Sequence, residues 1–439
     1  MLFFRELKKI VCTVSYLLFI VVLTLSLFSQ GVLNFRNEAL AEPQPGGEYG
    51  VKQEDIPDII MPAALQSLYR EFLANNYKTY PIGFYKNVKL KDGEQVRVAD
   101  ILADITGMDT QRFYSALETA GKSTGSKFEI GSQMESDGNG GSVMSGNTPG
   151  NPAAEEASLS VRWDMSYATF KGKMQKVDDL LGGGSAYANE SLIKFGTVPI
   201  DFDEAHERYE LAKSYDKVTG GYARLFSDYA VVMVLSILPV FLAVILSMKD
   251  KRAGMSELVY TRKISGAKLV SVRYAAIIAS VMLPVILLSY ISSASVWGQH
   301  SGMELDYLAP LKYDVGFIMP SVMMAAATGM FLTECTGLPI AVAVQGLWWF
   351  VDINLGNTSV AASYSLFRLA PRHNAGVQSF FRTQDFIDHF DALAANRLLF
   401  AGVSLLLVAA AAAVYNAKRK GKWNGHDRVK KAFAGIRNR

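Results

Sequence analysis

YAVVMVLSILPVFLAVILSM, residues 229–248, carries no charge, and LVSVRYAAIIASVMLPVILLSYISSASV, residues 269–296, carries only Arg273 near its start. A helix that crosses a bilayer needs ~20 mostly apolar residues, and both stretches qualify. Between them lies KDKRAGMSELVYTRKISGAK, residues 249–268, dense in charge. Working outward, the same apolar signature recurs at Ile10–Ser29, Val315–Leu332, Leu338–Val351 and Leu398–Tyr415. The run at Leu338–Val351 is short and contains Gln345. Pro239, Pro284 and Pro320 fall inside runs, where membrane helices tolerate proline. The expected fold is an all-α polytopic membrane protein with six transmembrane helices.

Of 439 residues, half are hydrophobic and 19% are charged, against about 25% charged in soluble domains. Lysine plus arginine exceed aspartate plus glutamate by 44 − 41 = 3, so no basic stripe points to nucleic acid. The two cysteines, Cys12 and Cys335, form no disulfide framework or thiolate zinc site.

Lysine and arginine at the span ends set the orientation. Arg5, Lys8 and Lys9 precede the first run, residues 249–268 join the second and third, and Lys418, Arg419, Lys420 and Lys422 follow the sixth. Six spans put these segments on one side, the cytoplasm, with both termini. Residues 1–30 are then the cytoplasmic start and first span. Residues 31–228 form an extracellular domain, 229–415 the remaining spans with the inner loop, and 416–439 a basic cytoplasmic tail. A plasma membrane of a Gram-positive bacterium suits an outer domain without cysteine. A cleaved signal peptide is the competing reading of the first run, with Ala39-Leu40-Ala41 as its site, but the run exceeds an ordinary h-region. Leu2, Phe3, Leu7 and Ile10, interleaved with Arg5, Lys8 and Lys9, suggest either an interfacial helix or a plain positive flank.

The outer domain reads as mostly helical, with strands possible. Residues 97–117 are a helix candidate. Residues 131–158, rich in Gly, Ser, Asn and Pro, read as a flexible loop. Tyr167, Phe170, Met174, Val177 and Leu181 trace one face of a helix that Gly182 stops. Phe202, Ala205, Tyr209, Ala212 and Tyr215 trace a second, with Gly220-Gly221 as its break.

Chemistry is sparse. There is no G-x-x-x-x-G-K-[ST], so the chain is not expected to be an enzyme. It holds no cofactor and no metal, and neither catalytic nor cofactor-binding residues are assigned. His206 does not complete an H-E-x-x-H. Asp385, Asp388, His389 and Asp391 are spaced to offer a divalent cation a site, or to form a solvated helix face. Arg368, Arg372 and His373 form a cationic cluster after the fifth run, suited to lipid or an anionic substrate, and Gln345 is the main polar group inside a run.

The inner loop carries more information. Ser256–Ile264 is expected to form a short helix whose Leu258, Val259 and Ile264 stand among charges, as in a docking helix for a cytoplasmic partner. The segment Glu257-Leu258-Val259-Tyr260-Thr261-Arg262-Lys263-Ile264-Ser265, followed by Lys268-Leu269, resembles permease subunits of ATP-binding-cassette exporters of the ABC type 2 family. That resemblance implies a coupling helix with Glu257, Tyr260 and Arg262 as its residues. It also implies cytoplasmic ABC ATPase subunits as partners, ATP bound on those subunits, and a homo- or heterodimer of permeases. Residues 359–370 would then re-enter the membrane from outside. The outer domain is larger than in the simplest members, so the substrate does not carry over. Two other classes compete. A surface receptor would require a cytoplasmic output domain, and an ion-coupled secondary transporter would place ionisable groups mid-span.

Overall fold

The computed structural model describes residues 2–35, 39–81, 85–115, 159–255, 260–261, 263–354, 363–373 and 381–423, without the side chains of 250 and 251. The loop expected over 131–158 lies outside them. The chain divides into two compact units. One comprises Met1–Pro45, Asp203–Gly356 and Val360–Arg439, and the other Gly46–Phe202 with Asn357–Ser359.

The first unit is helical. Among the described residues, three of its helices are long and apolar enough to cross a membrane: Gly266–Gln299, Ala309–Thr336 and Phe390–Arg419. Two bent pairs raise the number to five if each is one span. In the first pair, Leu2–Val11 and Val14–Ser29 meet at 69°. Thr13 causes the break, since its hydroxyl donates to the Ile10 carbonyl and accepts from the Tyr16 N–H, capping the second helix. In the second pair, Thr219–Leu235 and Pro239–Lys249 meet at 44°. The fifth apolar run forms a shorter helix, Ile340–Asn354. The Ala309–Thr336 helix is the hub, with 67% of its apolar window buried against 44% and 33% in the other two long helices. Small residues permit its close packing: a Cβ on Gly329 would stand 2.7 Å from the Ala243 Cβ.

The core of this unit takes in more of the polar stretch than expected. Val32, Phe35, Leu40, Tyr209, Ala212, Val218 and Tyr222 are buried with the span residues, so the second unit is narrower than residues 31–228. The Phe202–Ser214 helix buries Ala205, Tyr209 and Ala212 as its periodicity predicts, but it does not break at Gly220-Gly221. The turn comes earlier, through left-handed Lys217 and Val218. Both glycines lie inside the next helix, Thr219–Ala230. They serve close approach there: a Cβ on Gly221 would meet the Phe381 ring at 2.2 Å.

The second unit packs the helices Pro57–Ala74, Asp92–Thr106 and Tyr167–Leu181 around one core. Among the described residues, two short antiparallel ladders border them: Val51–Gln53 with Thr197–Pro199, and Tyr77–Thr79 with Lys86–Val88. Phe170, Met174, Val177 and Leu181 are buried, and Gly182 caps their helix in the left-handed conformation. The helix expected over 97–117 is interrupted: Asp92–Thr106 ends at Gly107, which adopts φ +72°, and helical residues resume at 110–115.

Candidate functional site

Of the inner-loop residues singled out in the sequence, Glu257 and Arg262 lie outside the described residues, as does most of the helix expected over 256–264. Tyr260 is half-buried, and its ring meets Tyr415 edge-on at 5.4 Å between centroids. The surrounding anchors are specific. Arg419 donates to the Ile264 carbonyl at 2.9 Å. The Ser265 hydroxyl caps the 266–299 helix by accepting from the Lys268 N–H. Gly266 sits so close to the last helix that a Cβ would stand 2.1 Å from Asn416 Oδ1 and 2.7 Å from the Tyr415 ring. Lys418 pairs with Glu334 at 3.3 Å, joining the ends of two long helices. The loop's C-terminal half therefore rests on the end of the last helix.

The three basic segments meet at one end of the helical unit. Lys249 Nζ donates to the Lys9 carbonyl at 3.2 Å, and Arg419 reaches the residues before Gly266. The N-terminal helix also lies against the start of the 266–299 helix, where Glu6 accepts from Arg273 at 3.3 Å. Both of these side chains are buried. An amphipathic helix pinned by an interior ion pair is more than a positive flank.

The cationic cluster after the fifth run is largely interior rather than at a surface. Arg368 is 6% exposed and its Nε and Nη2 have no hydrogen-bond partner among the described residues. Its carbonyl accepts from Asn396 and Arg397. Arg372 is half-buried. His373 is buried, its Nδ1 2.5 Å from Asp228 and its ring stacked on Phe317 at 4.0 Å. Gln345, also buried, donates from Nε2 to the Ser236 carbonyl at 2.6 Å. Asp352 accepts from the N–H groups of Leu369 and Ala370, and Asn396 donates to the carbonyls of Ser365, Leu366 and Arg368. These contacts fold residues 363–370 back onto the helices. Residues 359–362 lie outside the described part.

Sequence reasoning missed a buried polar cluster. Arg224 and Asp216 form a bidentate ion pair that Thr383 and Tyr313 complete, with the Phe386 ring 4.5 Å from the guanidinium. Its one signal was an arginine four residues before Asp228 at the head of an apolar run. Asp385, Asp388 and His389 do not share one helix, because Thr383–Asp388 ends at His389. Asp388 accepts from Gln384, and Asp385 lies 3.8 Å from Arg382. Among the described residues no acidic, histidine or cysteine group is arranged to hold a metal ion.

Compared with protein-family models, with curated proteins and with solved structures, the chain finds no match.

Proposed function

We propose that the chain is the membrane-spanning permease subunit of an ABC exporter. It would couple ATP hydrolysis on a separate cytoplasmic ATPase to export of a substrate or to force on the outer domain. In this reading all six apolar runs are spans, the bent pairs counting as one each, with the basic loop and both termini in the cytoplasm of a bacterial plasma membrane. The carrying observation is the sequence E-L-V-Y-T-R-K-I-S in a loop between two apolar helices, with its tyrosine set against the end of the last helix. A docking element must pass displacement to the spans. Contacts of residues 260–266 with Tyr415, Asn416 and Arg419 supply a route. A partner that binds two states of the helical unit unequally shifts the balance between them.

The test is purification of the full chain in mild detergent with its host's ATPases. A P-loop ATPase should accompany it, and Glu257→Lys or Arg262→Glu should weaken that association. Truncating one member of a buried charge pair costs about 2–5 kcal/mol. Both variants should still reach the membrane. Normal association and turnover in both would sink the coupling role. Orientation is read in a chain with Cys12→Ser and Cys335→Ser. Trp163→Cys, at a 97% exposed position, should react with an impermeant thiol reagent on intact cells, whereas Ser265→Cys should react only after lysis.

A further inference from the structure

The N-terminal helix and the end of the 239–252 helix enclose an open cavity of ≈ 380 Å³ lined by Arg5, Lys8, Lys9, Cys12 and Lys249. The first four follow one another at i, i+3, i+4 and i+7, one face of a helix. Four cations thus surround one space. Glu6 is the carboxylate at hand, and its two oxygens are already divided between Lys9 at 2.6 Å and Arg273 at 3.3 Å. Among the described side chains no carboxylate pairs with Arg5, Lys8 or Lys249. Lys249 even donates to the Lys9 backbone, drawing two like-charged helix ends together. Like charges held this close repel, and an anion between them would reverse the sign of that term.

The cavity's neighbours indicate which anion. Phe4 is 71% exposed and Val14 83% exposed, on either side of the basic face. Leu17 and Leu18 continue the exposed apolar surface along the next helix. A free phosphate has no use for such a surface, whereas a phospholipid places acyl chains there and its phosphate among the cations. Basic pockets between membrane helices take anionic headgroups in this way, and an amphipathic helix lies at that depth. We infer that this cavity binds the phosphodiester headgroup of an anionic phospholipid, with Arg5, Lys8, Lys9 and Lys249 as its ligands.

Cys12 supplies the readout, since it lines the cavity and is exposed. The full chain carrying Cys335→Ser is purified in detergent, and the rate of Cys12 alkylation by a neutral maleimide is followed. Three probes are compared: dioctanoyl phosphatidylglycerol, dioctanoyl phosphatidylcholine and inorganic phosphate. Phosphatidylglycerol should protect Cys12 and the other two should not. Lys8→Gln with Lys249→Gln should raise the half-protecting concentration roughly 30-fold, from the usual attraction per basic residue at an anionic surface. The corresponding arginine pair should retain protection. Equal protection by phosphatidylcholine would reduce the site to apolar contact. Equal protection by phosphate would make it a phosphate site, and no protection by any probe would remove it. These three arms need no charge variant, so a double variant that fails to fold leaves the decision intact.

Discussion

Both terminal nitrogens of the Arg224 guanidinium bond the two carboxylate oxygens of Asp216, and neither side chain is more than 1% exposed. The pair is held between two left-handed turns, Lys217–Val218 and Phe381–Arg382. Thr383, just past the second turn, donates to Asp216 at 2.7 Å. A charge pair taken out of water gives little net stability, yet losing one partner leaves the other charge buried alone.

Arg224→Met and Asp216→Leu should therefore each cost about 3–5 kcal/mol. The double variant Arg224→Met with Asp216→Leu should recover most of that loss. Thermal unfolding of the purified full chain in detergent measures all three. Additive losses would show that the two side chains do not act as a unit.

Gln345→Leu and Trp349→Phe address a different weakness. Gln345 donates to the Ser236 carbonyl at 2.6 Å and Trp349 to the Val232 carbonyl at 2.7 Å. Interhelical hydrogen bonds among membrane helices are worth about 0.6–1.7 kcal/mol, and each variant should lose that amount. A change below measurement in both would mean that other groups satisfy these carbonyls.

Two glycines of the second unit should respond in opposite directions. A Cβ on Gly196 would stand 1.9 Å from the Glu54 carbonyl oxygen, and that backbone cannot swing aside as a side chain would. Gly196→Ala should destabilise by about 1–3 kcal/mol, as overpacking does. Gly172 sits exposed in the Tyr167–Leu181 helix with nothing within 4 Å, so Gly172→Ala should stabilise by about 0.8–1.0 kcal/mol. Protease resistance of this unit in the intact chain reports both.

Alkaline pH should weaken the second unit. Burial pushes the Tyr77 and Tyr187 hydroxyls well above their ordinary range, and the nearby Glu71 carboxylate adds to it. Tyr77 donates to Gln95 at 2.7 Å and Tyr187 to Glu71 at 2.8 Å. An unfolded tyrosine ionises near pH 10, while these two keep their protons in the fold. The folded state then binds more protons above pH 10, and stability falls as pH rises from there. Below pH 10 neither tyrosine contributes a slope. Tyr77→Phe and Tyr187→Phe should each flatten the alkaline fall, followed by phenolate absorbance against unfolding.

Legibility from sequence followed periodicity. Phe170, Met174, Val177 and Leu181 announce their shared face because one helix repeats it locally, and the apolar runs announce themselves by length. Thr13 inside the first run gave no such signal, since a hydroxyl becomes a helix cap only when the backbone turns beneath it. The Arg224–Asp216 pair was hidden for a related reason. The partners stand eight positions apart in sequence, and two left-handed residues, neither of them glycine, reverse the chain between them. Gly220 and Gly221 looked like the break because glycine often marks one. Here their missing side chains make room for Asp216 and Phe381. Arg368 and His373 looked superficial because charge beside an apolar run usually is, and their burial depends on Asp352, Asn396 and Asp228, which lie on other helices.

The bend before Pro239 has a mechanical consequence. The Ser236 N–H bonds the Val231 carbonyl and the Ile237 N–H bonds that of Val234, so neither takes the carbonyl of Val232. Trp349 takes it instead, and Gln345 takes Ser236, both from the same short helix. Straightening the bent helix would return these carbonyls to the backbone N–H groups of Ser236 and Val240 and leave the Trp349 and Gln345 donors unpaired where no water waits to replace the lost acceptors. The Ile340–Asn354 helix therefore acts as a splint. The break sets an elbow, and movement of this part of the molecule carries elbow and splint together as one piece.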